Sequence, residues 1–175
     1  MKTPTSPAAL RVARTLTELS VFDVAEFVGI PRRAIAATEA GLSSTNDHNV
    51  RLIEFYEEKG IEFLGDLTFG RNVGRAGARW KSPTNLDATD IKQFHASQSG
   101  LMFRAARALL GVTQADLAKL ADLRGNAIGK VEASEPWPTV IDKLRKHYEA
   151  NGVEFLGWTD ARTGLLYGVG ARWKV

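Results

Sequence analysis

The stretches GIEFLG at 60–65 and GVEFLG at 152–157, together with the pentapeptide GARWK at both 77–81 and 170–174, decide how this chain is to be read. Their offsets are 92 and 93 residues. Shifting the sequence by 93 positions pairs Arg11 with Arg104, Ala13 with Ala106, Arg14 with Arg107, Leu16 with Leu109 and Asp23 with Asp116. The same shift pairs Ala25 with Ala118, Ala34 with Ala127, Ile35 with Ile128, Glu39 with Glu132 and Ala40 with Ala133, giving ten identities over the 34 positions from Ala8 to Gly41. A solenoid module runs to roughly 20–45 residues, so this period is too long for one. Each copy, at about 75 residues, is large enough for a small core of its own. The expected organisation is a first unit at 1–81, a linker at 82–100 and a second unit at 101–175. The linker holds Ser-Pro and Ser-Gln-Ser-Gly punctuation, and DIKQFHASQ inside it is a candidate short helix.

Composition narrows the class. Of the 175 residues 44% are apolar, an ordinary globular value, and no apolar run is long enough for a secretory h-region or a membrane span. A soluble, cytoplasmic chain is the expectation. With no cysteine, disulfides, thiolate metal sites and cysteine nucleophiles are excluded. Twenty-three Lys and Arg against twenty Asp and Glu leave a net charge of only +3. The charges divide evenly, eleven basic against ten acidic in 1–86 and twelve against ten in 87–175, so neither half is a charged tail.

Periodicity predicts four helices and a hairpin, twice. In the second unit Leu101, Phe103, Ala105, Ala106, Leu109 and Leu110 keep one apolar face and stop at Gly111. Thr113 is placed as the N-cap of the next helix, with Asp116 at the capping-box position. Asp122 to Gly125 break that helix, and Asn126–Ala133 restart a third with Ile128 and Val131 inward. A fourth runs from Thr139 to Ala150, followed by a strand at 153–156 and a return strand at either 165–167 or 168–173. The first unit repeats the plan, with helices near 8–17, 20–28, 32–40 and 50–59 and strands near 61–64 and 77–81.

The segments TQADLAKLADLRGNAIGKVEAS at 113–134 and SVFDVAEFVGIPRRAIAATEAG at 20–41 resemble the helix-turn-helix of the Cro and lambda-repressor-like (XRE) family. Ala25 and Ala118 would be small to let two helices cross closely, with Ile35 and Ile128 plugging the crossing. The resemblance implies a mainly α fold: two tandem lambda-repressor-like helix-turn-helix domains, each of about four helices followed by a small C-terminal β-hairpin. It implies a bacterial, sequence-specific double-stranded DNA-binding transcriptional regulator, most simply a repressor that occupies an operator. The exposed face of the third helix would enter the major groove. That face carries Pro31, Arg32, Arg33 and Ala37 in the first unit and Arg124, Gly125, Asn126 and Lys130 in the second. Arginine would contact guanine and Asn126 adenine, while Ser20, Thr113 and Gln114 would hold phosphate at the start of the second helix. Val21 stands where Gln114 does in the second unit.

Several features carry a plainer alternative. Arg11, Arg14, Arg104 and Arg107 are either phosphate contacts or ion-paired with Glu39 and Glu132, and the second is favoured. Trp80 and Trp173 either cap their own cores or bring chains together. The hairpins either pair the two units with each other or join two chains as a homodimer. His48, His95 and His147 lack ligand spacing, so no metal and no other cofactor is expected. No Ser, His and acid set recurs, so no enzyme is expected. The rival function is a protein-interaction regulator, anti-activator or antitoxin-like, in which the copy carrying Val21, Phe22 and Val28 holds a protein partner.

Overall fold

A computed structural model describes residues 4–42, 46–66, 73–82, 95–96 and 98–175. The helices of the first half are α1 (Pro7–Leu16), α2 (Val21–Val28), α3 (Arg32–Ala40) and α4 (Asn46–Glu58), followed by strands β1 (Ile61–Asp66) and β2 (Gly74–Trp80). A two-residue strand β3 (His95–Ala96) precedes the second half. There α5 (Gly100–Leu110), α6 (Gln114–Leu120), α7 (Ala127–Glu132) and α8 (Pro138–Ala150) lead into β4 (Val153–Thr159) and β5 (Leu166–Trp173). The two alternative return strands of the second unit are one continuous β5. The proposed linker helix lies outside the described residues except at its end, where 95–96 are extended.

Local chemistry explains the helix ends. Ser20 accepts from the Asp23 amide while the Asp23 carboxylate accepts from the Ser20 amide, a complete capping box. Thr113 accepts from the Asp116 amide in the same way. Gly111 closes α5 in the left-handed conformation, at φ 72°, where a side chain would be strained.

The expected fold class is overturned at the hairpins. The protein is mixed α/β, not a mainly α pair of domains with two small separate hairpins, because the hairpins merge into one antiparallel sheet. β2 pairs with β5 through Gly77↔Arg172, Ala78↔Ala171 and Arg79↔Gly170. This register is symmetric under the 93-residue shift, so an internal two-fold passes through the Ala78 and Ala171 pair. Glycine at 77 and 170 makes the approach possible. A Cβ on Gly77 would lie 2.3 Å from the Ala171 carbonyl oxygen, and one on Gly170 would lie 2.2 Å from that of Ala78. β1 flanks β2 and β4 flanks β5, each hairpin with a register shift at the last glycine of its repeated hexapeptide, Gly65 or Gly157. A strand recognises any compatible edge, and here the edge each hairpin found was the other one.

The helices obey the same two-fold. α1 packs on α5 across it, and a single apolar core runs through both halves. Tyr56 and Tyr148, Leu52 and Leu144, Ile35 and Ile128, and Ile61 and Val153 are equivalent buried pairs. Each fully buried aliphatic side chain contributes about 1.5–3 kcal/mol, so the shared core dominates stability. Trp80 and Trp173 are partly buried against it.

Arginines of the first helices stitch the interface. Arg11 donates from Nε to the Ala108 carbonyl at 2.8 Å and from Nη2 to that of Leu109 at 3.1 Å, satisfying carbonyls at the C-terminal end of α5. Its repeat equivalent Arg104 crosses the other way and meets Glu18 at 2.8 Å, just beyond the end of α1.

Candidate nucleic-acid interface

In each half the second and third helices form a connected pair, and the third is anchored to the first by a buried ion pair. Arg14 donates to both carboxylate oxygens of Glu39, at 2.8 and 2.9 Å. Arg107 does the same to Glu132, at 2.6 and 2.9 Å. Hydrogen bonding to its glutamate, opposed by desolvation, raises the pKa of each arginine. Arg14 and Arg107 are therefore ion-paired inside the fold, and Arg11 is spent on backbone carbonyls. None of these three is an open phosphate contact.

The first face is built by a three-residue turn. Gly29 takes φ 64°, Ile30 is buried, and Pro31 starts α3 without a side-chain cap. Arg51 on α4 donates to the Val28 carbonyl and so closes the end of α2. Pro31, Arg32 and Arg33 are exposed, and Ala37, one turn further along α3, is half-buried. Among the described residues Arg32 and Arg33 make no ion pair. The Arg32 guanidinium carbon lies 5.5 Å from the ring centroid of Phe22, near the start of α2. Sequence reading left Phe22 out of this face, because a contact ten positions away across a turn has no helical or strand period.

The second face is looser. Six residues, 121–126, separate α6 from α7, with Asp122 and Gly125 both at positive φ, 49° and 62°. Arg124, Gly125 and Asn126 are exposed in this turn. Lys143 on α8 donates to the Asp122 carbonyl at 2.6 Å and steadies it. Lys130 is half-buried on α7, with Nζ 3.5 Å from Glu135 and 5.8 Å from the ring centroid of Trp137.

Three expected phosphate contacts are otherwise occupied. Gln114 donates its amide to Glu132 at 2.7 Å, so it locks α6 to α7. The hydroxyls of Ser20 and Thr113 donate to the carboxylates of Asp23 and Asp116, at 2.6 and 2.7 Å. The reason is local: the carboxylate three residues after each N-cap accepts the hydrogen bond of the cap hydroxyl. What the two faces hold open is therefore Arg32, Arg33, Arg124 and Asn126, forked or amide donors suited to planar acceptors.

Comparison with protein-family models, with curated proteins and with solved structures gives no match. Among the described residues no helix is long and apolar enough to cross a membrane.

Proposed function

We propose that the chain is a sequence-specific double-stranded DNA-binding transcriptional regulator that represses by occupying an operator. The observation that carries this reading is the pair of exposed cations Arg32 and Arg33 at the start of α3, which make no ion pair among the described residues, with exposed Arg124 and Asn126 at the corresponding part of the repeat in a chain whose sheet has an internal two-fold. Paired readers related by a two-fold suit two half-sites of one duplex. A single chain supplies both readers, and because their residues differ, the operator would have two unlike half-sites.

The test uses the full chain, a duplex enriched by the protein from a random pool, and a salt series. Binding should weaken linearly on a log-log plot as salt rises. Arg32→Ala with Arg33→Ala should cost about 1–3 kcal/mol per base contact and relax sequence preference in one half-site only. An affinity independent of salt would sink DNA binding.

One observation favours a second reading, in which the first half holds a protein. Phe27 and Leu42 are 63% and 83% exposed on that half. This reading would show itself as a DNA footprint indifferent to Arg32 and Arg33.

A further inference from the structure

Phe22 is a poor use of a phenylalanine in the isolated chain. It is 51% exposed, so much of the roughly 1.5–3 kcal/mol that full burial of such a side chain yields is not realised. Among the described residues no aromatic ring packs on it, and Arg32 is the cation at its ring. Phe22, Ala25, Glu26, Gly29, Pro31 and Arg32 rim a shallow concavity between α2 and the start of α3. A ring beside a guanidinium holds that planar group while leaving the edge with its forked donors free.

We propose that Phe22 is a specificity-determining residue of the first face, contacting the 5-methyl group of a thymine adjacent to the guanine that Arg32 reads. This inference rests on the DNA-binding reading given above. In the major groove guanine offers two acceptors suited to a guanidinium fork, and thymine alone presents an apolar methyl. A ring fixed at the flank of the fork meets the neighbouring base, and the methyl is the group there that an apolar surface prefers over water. Glu26, on the rim of the same concavity, opposes a phosphate at this position. The second half has Ala115 at the equivalent position, so the preference belongs to one half-site.

The experiment enriches duplexes from a random pool with the full chain, then replaces the thymine beside the most strongly selected guanine by deoxyuridine, which lacks only the methyl. The expected pool shows a thymine and guanine step in one half-site and not in the other. Deoxyuridine should weaken binding by the native protein about fourfold, the factor equivalent to ~0.8 kcal/mol for one buried methyl-sized group. Phe22→Ala should bind the thymine and deoxyuridine duplexes equally, and Phe22→Leu should keep a preference for thymine. Because the deoxyuridine comparison uses the unaltered protein, it stands even where a variant folds badly. Equal binding of the two duplexes by the native protein overturns the assignment to Phe22, as does an enriched guanine without an adjoining thymine. A pool with no enriched duplex overturns the DNA-binding reading itself, and this inference with it.

Discussion

Glu39 and Glu132 hold equivalent places in the two halves, each 5% exposed and each gripped by two bonds from an arginine of the preceding first helix. Their further partners differ. Glu132 also accepts from Gln114, so the second half ties its own three helices together. Val21 stands at that position in the first half, and there it is the Glu39 backbone carbonyl that is taken, by Arg11, the same side chain that reaches the end of α5. The third helix of the second half thus gains its extra bond from α6 beside it, whereas that of the first gains it from Arg11, the side chain that also reaches across to α5. Duplicated sequence preserved the anchoring of the third helix and let the accessory bonds diverge.

Removing the anchors has the largest expected effect. Glu132→Ala leaves Arg107 and Gln114 without their shared acceptor, and Glu39→Ala leaves Arg14 without its own. Each should lose about 3 kcal/mol, the lower end for breaking a buried pair because the arginines keep some contact with water. Urea unfolding of the full chain measures it. Losses below about 1 kcal/mol in both variants would mean that the third helix is held by packing alone.

The sheet provides the next test. Gly77→Ala and Gly170→Ala place a methyl group against the facing strand, at 2.3 and 2.2 Å from a carbonyl oxygen. Overpacking of this kind costs about 1–3 kcal/mol. The two variants should lose equal amounts, since the two-fold makes their surroundings the same. A marked inequality would break the equivalence of the halves at their junction. A smaller asymmetry is expected at Gln114→Val, which gives the second half the residue of the first. The loss of one partly exposed hydrogen bond should cost about 1 kcal/mol, read from the same unfolding curves.

Much of the interior was legible. Helical spacing and glycine punctuation located the helices, Thr113 and Asp116 declared their cap, and the repeated Arg and Glu positions announced an ion pair. The joining of the hairpins was not legible, because alternation marks a strand without naming the strand it pairs with. Its trace was present in GARWK, whose glycine sits where the facing backbone comes closest. At the candidate interface, exposure of Arg32 and Arg33 followed from their place at the start of α3, whereas Arg124, Gly125 and Asn126, expected on the face of the third helix, lie in the turn before it, because α7 starts only at Ala127. The diversion of Gln114 and of the Ser20 and Thr113 hydroxyls did not follow, since nothing in a single sequence says whether a polar group faces a ligand or a neighbour.

The last difference between the halves lies on the sheet. Glu62 accepts one bond from Arg79 at 2.8 Å, while Glu154 accepts two from Arg172, at 2.6 and 3.1 Å, and has Arg75 of the first half 3.7 Å away. Hydrogen bonding to Arg172, with the charges of Arg172, Arg75 and Lys174 added, holds the Glu154 carboxyl below its ordinary range. A carboxyl that is more acidic in the folded state stabilises the fold above the ordinary glutamate pKa of about 4.3, and that contribution disappears as the pH falls through the lowered value. Glu154→Gln should therefore remove part of the stability lost on acidification below pH ~4 while changing its pH dependence little above that. Following the Glu154 carboxyl carbon by NMR checks the cause directly: its midpoint should lie below the ordinary glutamate value and rise when Arg75 is replaced by Gln. A midpoint that ignores Arg75 would confine the interaction to the second half, leaving the two hairpins joined by backbone bonds without this charge crossing between them.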